Sequence, residues 1–183
     1  MKISLTSLLL AAGVLLIAGC SSTRIDSGRI TAHTFSFINP GKPLSAFPED
    51  QQRVHALVQD AITQNLAGRG ITRVESGGDV TVAYLVIAGN NTMTTSLNDY
   101  FGIREDTEKL TDKAQEKYTD NRNPNSFAAG TLVIDIIDPK SSWKVLYRDY
   151  ATRALLRDVS PDAKAERMRQ VVEQILGKAK FNQ

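Results

Sequence analysis

The chain has 183 residues, 42% of them hydrophobic and 23% charged, and a formal net charge of +2. That length holds one domain with a substantial core and falls short of two comfortable ones. A balance this close to neutral supplies no long-range field to gather nucleic acid. A single cysteine excludes an internal disulfide, so stability rests on packing.

Lys2 provides a short positive region, and Leu5 to Ile17 an apolar run. The run matches the roughly 7–15 residues of a secretory leader and is short of the roughly 20 needed to span a bilayer. It closes on Ile17-Ala18-Gly19-Cys20, which resembles the bacterial lipobox, where an aliphatic residue and two small ones precede a cysteine that is acylated and becomes the first mature residue. The resemblance implies cleavage between Gly19 and Cys20 and acyl chains on Cys20. Each buried methylene contributes about 0.8 kcal/mol, so two or three chains anchor the protein firmly. Ser21 stands where an aspartate commonly signals inner-membrane retention, which implies the periplasmic leaflet of the outer membrane. Residues 1–19 are therefore expected to be a lipoprotein signal peptide. Residues 20–30 are expected to be a lipidated cysteine and polar tether reaching about 30 Å when extended, and residues 31–183 a single α/β domain.

Within that domain, His33-Thr34-Phe35-Ser36-Phe37 alternates with period two and stops at Asn39-Pro40-Gly41, a first strand with both Phe rings inward. Pro48-Glu49-Asp50 opens a helix whose stripe is Val54, Leu57, Val58, Ala61, Ile62 and Leu66, with Gly68 and Gly70 as its stop. His55 is read as a surface residue beside that stripe, and His33 as a structural residue at a strand edge. Asp79 to Ile87 is β-branched and apolar on both parities, as a central strand is. Strand, helix and strand would make a βαβ unit.

Residues 89–129 form a long polar insert without a strand-like run, in which residues 104–118 have weak helical spacing. Two strands follow, Gly130 to Ile137 and Trp143 to Tyr150, joined by a turn at Asp138-Pro139-Lys140-Ser141. Pairing even with odd positions puts Leu132, Ile134 and Ile136 on one face with Trp143, Val145 and Tyr147. It leaves Val133, Asp135 and Ile137 opposite them with Lys144, Leu146 and Arg148. Ser160-Pro161-Asp162 then opens a second helix with Ala165, Met168, Val171, Val172, Ile175 and Leu176 on one stripe, ending near Gly177.

Asp135, Asp138 and Asp149 invite an acid/base or metal reading, but Asp138 suits the turn, Asp135 has cationic neighbours in Lys144 and Arg148, and no His or Cys joins them. No catalytic residue, metal site or cofactor site is assigned. Asp135, Lys144 and Arg148 are kept as a candidate interaction face. No Gly-x-Ser-x-Gly motif supports a hydrolase.

Thr34-Phe35-Ser36-Phe37 with the first helix, Gly130-Thr131-Leu132-Val133-Ile134-Asp135 with Asp138, Val145-Leu146-Tyr147-Arg148 with Ala151, and Ile175-Leu176 in the closing helix together resemble the envelope lipoproteins grouped as domain of unknown function 4136. The likeness spans nearly the whole mature chain. Ala129 stands where the family commonly has glutamate, Tyr147 where it favours tryptophan and Asp149 where it favours glycine. The polar stretch 101–125 replaces an aromatic, glycine-rich one. The family implies no agreed activity.

The expected architecture is α+β, a two-layer α/β sandwich with a mixed sheet of about four strands and two main helices on one face. The expected role is a non-enzymatic accessory, assembly or binding module of the cell envelope, held to the membrane by its acyl chains and engaging an envelope protein or peptidoglycan, not nucleic acid. The alternative is a carrier of a lipid or small hydrophobic ligand in a pocket between sheet and helices.

Overall fold

The structure, a computed structural model, describes residues 24–38, 45, 49–90, 93–96, 129–154 and 159–182. Its elements in chain order are β1 (Ile25–Asp26), β2 (Arg29–Thr31), β3 (Thr34–Phe37), α1 (Glu49–Ala67), β4 (Thr72–Arg73), β5 (Val80–Asn90), β6 (Met93–Ser96), β7 (Ala129–Asp138), β8 (Lys144–Ala154), α2 (Pro161–Leu176) and β9 (Lys180–Asn182).

The four expected strands are β3, β5, β7 and β8, and they form the middle of a wider sheet. Its order is β1-β8-β7-β5-β3-β4, with β6 paired to the far end of β5, seven strands in all. β3 runs parallel to β4 and β5, whereas β5, β7, β8 and β1 alternate in direction, so the sheet is mixed. β3, α1 and β5 form the expected βαβ unit. Both helices pack on one face, and the α+β, two-layer class stands.

The core lies between that face and the helices. Val58, Ile62 and Leu66 of α1 and Val172, Ile175 and Leu176 of α2 meet Phe35, Val82, Tyr84, Ile134, Ile136 and Tyr147 of the sheet. Side chains two apart on a strand share a face, which is why even positions of β5 and β7 reach the helices. Odd positions of the same strands, Ala83, Leu85, Val133 and Ile137, are buried as well, on the opposite face. This explains why β5 is apolar on both parities.

Glycine positions two of the junctions. Gly70 has φ of 76°, which turns the chain out of α1 into β4. At Gly78 a Cβ would lie 2.6 Å from the Phe35 carbonyl carbon, so only glycine lets the start of β5 come this close to β3. Asp79 completes the junction by accepting hydrogen bonds from the amides of His33 and Thr34 at 3.0 and 3.1 Å. Those amides, His33 first, hold its carboxyl below the ordinary Asp range. Ser160 caps α2 by accepting from the Ala163 amide, with Pro161 in the first turn.

Four expectations are corrected. The segment read as the end of a tether is built into the fold from Ile25: β1 pairs with β8, and β2 with β9 in a separate parallel ribbon. The insert is shorter at both ends than 89–129, since β5 runs to Asn90, β6 pairs back on it and β7 starts at Ala129. The expected helix over 104–118 lies outside the described residues. His55 is 1% exposed, not on the surface. Finally, the even-to-odd register holds from Gly130↔Arg153 to Ile136↔Tyr147, and then a bulge shifts it so that Ile137 opposes Val145 and Asp138 opposes Lys144. One extra residue flips parity, so Val145 joins the odd face and Trp143 sits in the turn, 47% exposed with φ of 59°.

Candidate functional site

Ionisable side chains gather at two places on β8, one on each face of the sheet. On the face away from the helices the register sets Asp135 opposite Arg148. Arg148 donates through Nε and Nη2 to the two carboxylate oxygens of Asp135, each at 2.7 Å, and the side chains are 3% and 0% exposed. This is a bidentate fork between two desolvated charges, strong in geometry and costly to break. Leu85, Val133 and Ile137 are buried on the same face. The structure thus joins two of the three residues expected to make an interaction face and separates the third. Lys144 is exposed and lies beyond the bulge, opposite Asp138. Asp135 and Arg148 are sealed, so the three do not form a patch that a partner could touch.

Asp138 does the turn work expected of it. Its side chain accepts from the Lys140 and Ser141 amides and from the Ser141 hydroxyl, at 2.8, 3.2 and 2.6 Å. The Ser141 hydroxyl, ahead of the Lys140 amide, holds its carboxyl below the usual Asp range.

The second gathering is on the helix side, one residue further along β8. Asp149 is buried, yet its carboxylate is held by Arg24 and by Lys178 at 2.7 Å, and accepts from the Tyr150 amide at 2.8 Å. Burial works against the charge. Lys178, the Tyr150 amide and Arg24 outweigh it, so the carboxyl lies below the ordinary Asp value. The cations that hold it stay half-exposed, and the Arg24 guanidinium stacks 4.7 Å from the centre of the Tyr150 ring.

Around Asp149 the N-terminal segment is clamped to β8. Ile25 and Asp26 pair with Arg148 and Tyr147, and Ser27 donates from its amide and its hydroxyl to the Leu146 carbonyl, at 2.9 and 2.7 Å. Gly28, with φ of 102°, then turns the chain into β2, whose Ile30 is buried. Tyr147 donates to the Ile175 carbonyl at 2.6 Å and ties the last turn of α2 to the same strand. Burial, followed by the Asp149 charge, pushes its phenol up to about 12. Tyr147 and Asp149 are two of the positions at which this chain departs from the pattern it resembles, and both are engaged here.

A third polar group is closed within the core. His55 Nδ1 lies 3.1 Å from the Tyr84 hydroxyl, which also accepts from Gln59 at 3.1 Å. Burial pushes the Tyr84 phenol up to about 12. His55 precedes Val58 by three residues and Ile62 by seven, helical spacing that places it on the buried stripe.

Gly19 and Cys20, the expected cleavage and acylation positions, lie outside the described residues. Among the described residues no group of three His, Cys, Asp or Glu side chains is arranged to hold a metal, and no helix is long and apolar enough to cross a membrane.

A family model described as "Domain of unknown function (DUF4136)" matches residues 26–178. No curated protein matches the chain. Among solved structures, a PDZ domain protein from Parabacteroides distasonis is similar at 15% identity and a TM-score of 0.47, with 79% of this chain aligned. The present chain spans 31% of the length of that one.

Proposed function

This chain belongs to the DUF4136 family, and on that premise we propose that it is a lipid-anchored, non-enzymatic binding or assembly module of the bacterial envelope. Its acyl chains on Cys20 would sit in the periplasmic leaflet of the outer membrane, and its partner would be an envelope protein or peptidoglycan.

The observation that carries this reading is the clamp on β8. The fold begins at Ile25, five residues after the cysteine that the lipobox-like stretch marks. Five residues reach at most about 18 Å, so a domain anchored at Cys20 has little freedom to leave the bilayer surface. Arg24, Ser27 and the β1 pairing fasten the chain to β8 from Arg24 onward. An enzyme acting on diffusing substrates gains nothing from such apposition, whereas a module that joins membrane to another envelope layer does. The ionisable groups nearest the anchor also favour binding: Asp149 is neutralised by two cations and is not poised to exchange protons near neutral pH.

A ligand carrier would need space between sheet and helices. The described interface there is occupied by Ile62, Leu66, Ile134, Ile136, Val172 and Ile175, each 0% exposed, so the binding-module reading is preferred.

Cys20→Ala tests the proposal. The variant is expected to lose palmitate labelling and move from the envelope membrane fraction to the soluble periplasm with its fold intact. Crosslinking in intact cells is expected to trap a protein or peptidoglycan partner with the native chain and to lose it with the variant. A variant that stays with membranes and keeps its crosslinks would count against the anchor.

A further inference from the structure

Near the clamp, the β2–β9 ribbon and the turn after α1 enclose an open groove of about 380 Å³ lined by Arg29, Arg69, Ala179, Lys180 and Phe181. Three of its five lining residues are cations, in a chain that is otherwise close to charge balance. Lys180 reaches Asp26 at 3.4 Å, and Arg69 reaches Glu173 at 3.1 Å and Asn65 at 2.9 Å. The Arg29 side chain makes no hydrogen bond or ion pair among the described residues, and its backbone belongs to the β2–β9 ladder. A guanidinium offers five N–H donors and an ammonium three, so Arg69 and Lys180 also keep donors to spare. Phe181 and the buried Ala179 give the groove an apolar wall beside its cations.

We propose that this groove binds the phosphate of an anionic phospholipid in the same leaflet that holds the acylated Cys20, with Arg29 as its principal partner. The proposal rests on the lipid-anchor reading and adds to it a specific lipid contact. Proximity supports it: Arg29 follows Cys20 by nine residues, a reach of about 30 Å at most, and the β1 clamp and the Gly28 turn lie within that stretch. The chemistry fits as well. Guanidinium forks match phosphate oxygens, and a phenyl ring beside them suits the glycerol and upper acyl carbons of a lipid. The near-neutral chain cannot hold an anionic surface through its overall field, so any preference for anionic lipid must come from a local site of this kind.

The test uses the mature acylated protein in nanodiscs of phosphatidylcholine alone or of phosphatidylcholine with phosphatidylglycerol. Lysine reactivity toward an amine reagent is read by mass spectrometry. Lys180 reports on the groove, and Lys164, exposed in the first turn of α2 at the opposite end of that helix, is the internal control. Phosphatidylglycerol is expected to slow labelling of Lys180 relative to Lys164 by about fivefold, roughly what one basic group contributes at an anionic surface. Arg29→Ala, at an exposed position, is expected to abolish that protection while leaving the circular dichroism spectrum unchanged. Equal Lys180 reactivity in both nanodiscs overturns the proposal, as does full protection in Arg29→Ala. Protection by inorganic phosphate in phosphatidylcholine nanodiscs overturns the headgroup assignment in favour of a soluble phosphate. The mass of the N-terminal peptide from the same samples separates the two claims. An unmodified Cys20 defeats the anchor and the groove together, whereas an acylated Cys20 with an unprotected Lys180 defeats the groove alone.

Discussion

Asp135 on β7 and Asp149 on β8 lie on opposite faces of one sheet, and their surroundings differ in kind. Asp135 is held in a bidentate fork by Arg148, and both partners are withdrawn from water. Asp149 is itself buried but is held by two cations that stay half-exposed and that come from the N-terminal segment and from the turn after α2. The first arrangement fixes the sheet's register, because a one-residue slip would leave a charge buried alone. The second fastens the ends of the chain to the sheet while keeping positive charge at the surface. Similar carboxylates on neighbouring strands therefore serve interior order in one case and attachment in the other.

The largest effect is expected from breaking the closed pair. Arg148→Ala leaves Asp135 buried without its cation and should lower stability by about 3–5 kcal/mol in denaturant unfolding. Replacing both partners by apolar residues, Asp135→Leu with Arg148→Met, should recover most of that loss, because the cost lies in the orphaned charge and not in the absence of the bridge. A double variant as unstable as the single one would contradict this account of the pair.

Next comes the link between the two regions. Tyr147→Phe removes the hydroxyl that satisfies the Ile175 carbonyl and should cost about 1–2 kcal/mol. The same residue has a signature in alkaline titration. Tyr84 and Tyr147 have folded pKa values raised to about 12, chiefly by burial, so each contributes stability that is complete below about pH 10 and is lost as pH rises toward 12. Phenolate absorbance of the native protein should therefore show Tyr84 and Tyr147 titrating late, and one late-titrating tyrosine fewer in Tyr147→Phe.

The open cluster should yield the smallest effects. Lys178→Ala should cost no more than about 1 kcal/mol, because Arg24 remains and both cations are largely solvated. Its pH dependence runs the other way from that of the tyrosines. The folded pKa of Asp149 is depressed, so its contribution is complete above the ordinary Asp value near 4 and is lost as pH falls through the folded value. In Asp149→Asn the acid limb of the stability curve should flatten, while the neutral and alkaline limbs keep their shape.

The contrast also separates what was legible in the sequence from what was not. The two helices, the βαβ unit and the β7–β8 hairpin follow from periodicities of 3.6 and 2, and parity alone puts Asp135 on one face with Lys144 and Arg148, between which the structure selects Arg148. Parity failed where the bulge at Ile136/Ile137 added one residue, which separated Lys144 from that pair and turned Trp143 outward. Strands of two or three residues carry too little pattern to be recognised, so β1 and most of β2 fall within the expected tether and β9 has no counterpart among the expected elements. Their faint signals are Ile25, Ile30 and Phe181, apolar residues in polar stretches. His55 was misplaced for a different reason. Its polarity masked a spacing that puts it with Val58 and Ile62, and its partner Tyr84 lies on a strand far away in sequence.

The central claim is that the clamp on β8 holds the domain against a bilayer through Cys20. The most direct measurement is the intact mass of the N-terminal peptide from protein isolated out of native envelopes. The account predicts a peptide that begins at Cys20 and carries a diacylglycerol group, with or without a further acyl chain on its amine. A peptide that begins elsewhere, or an unmodified thiol at Cys20, would contradict it.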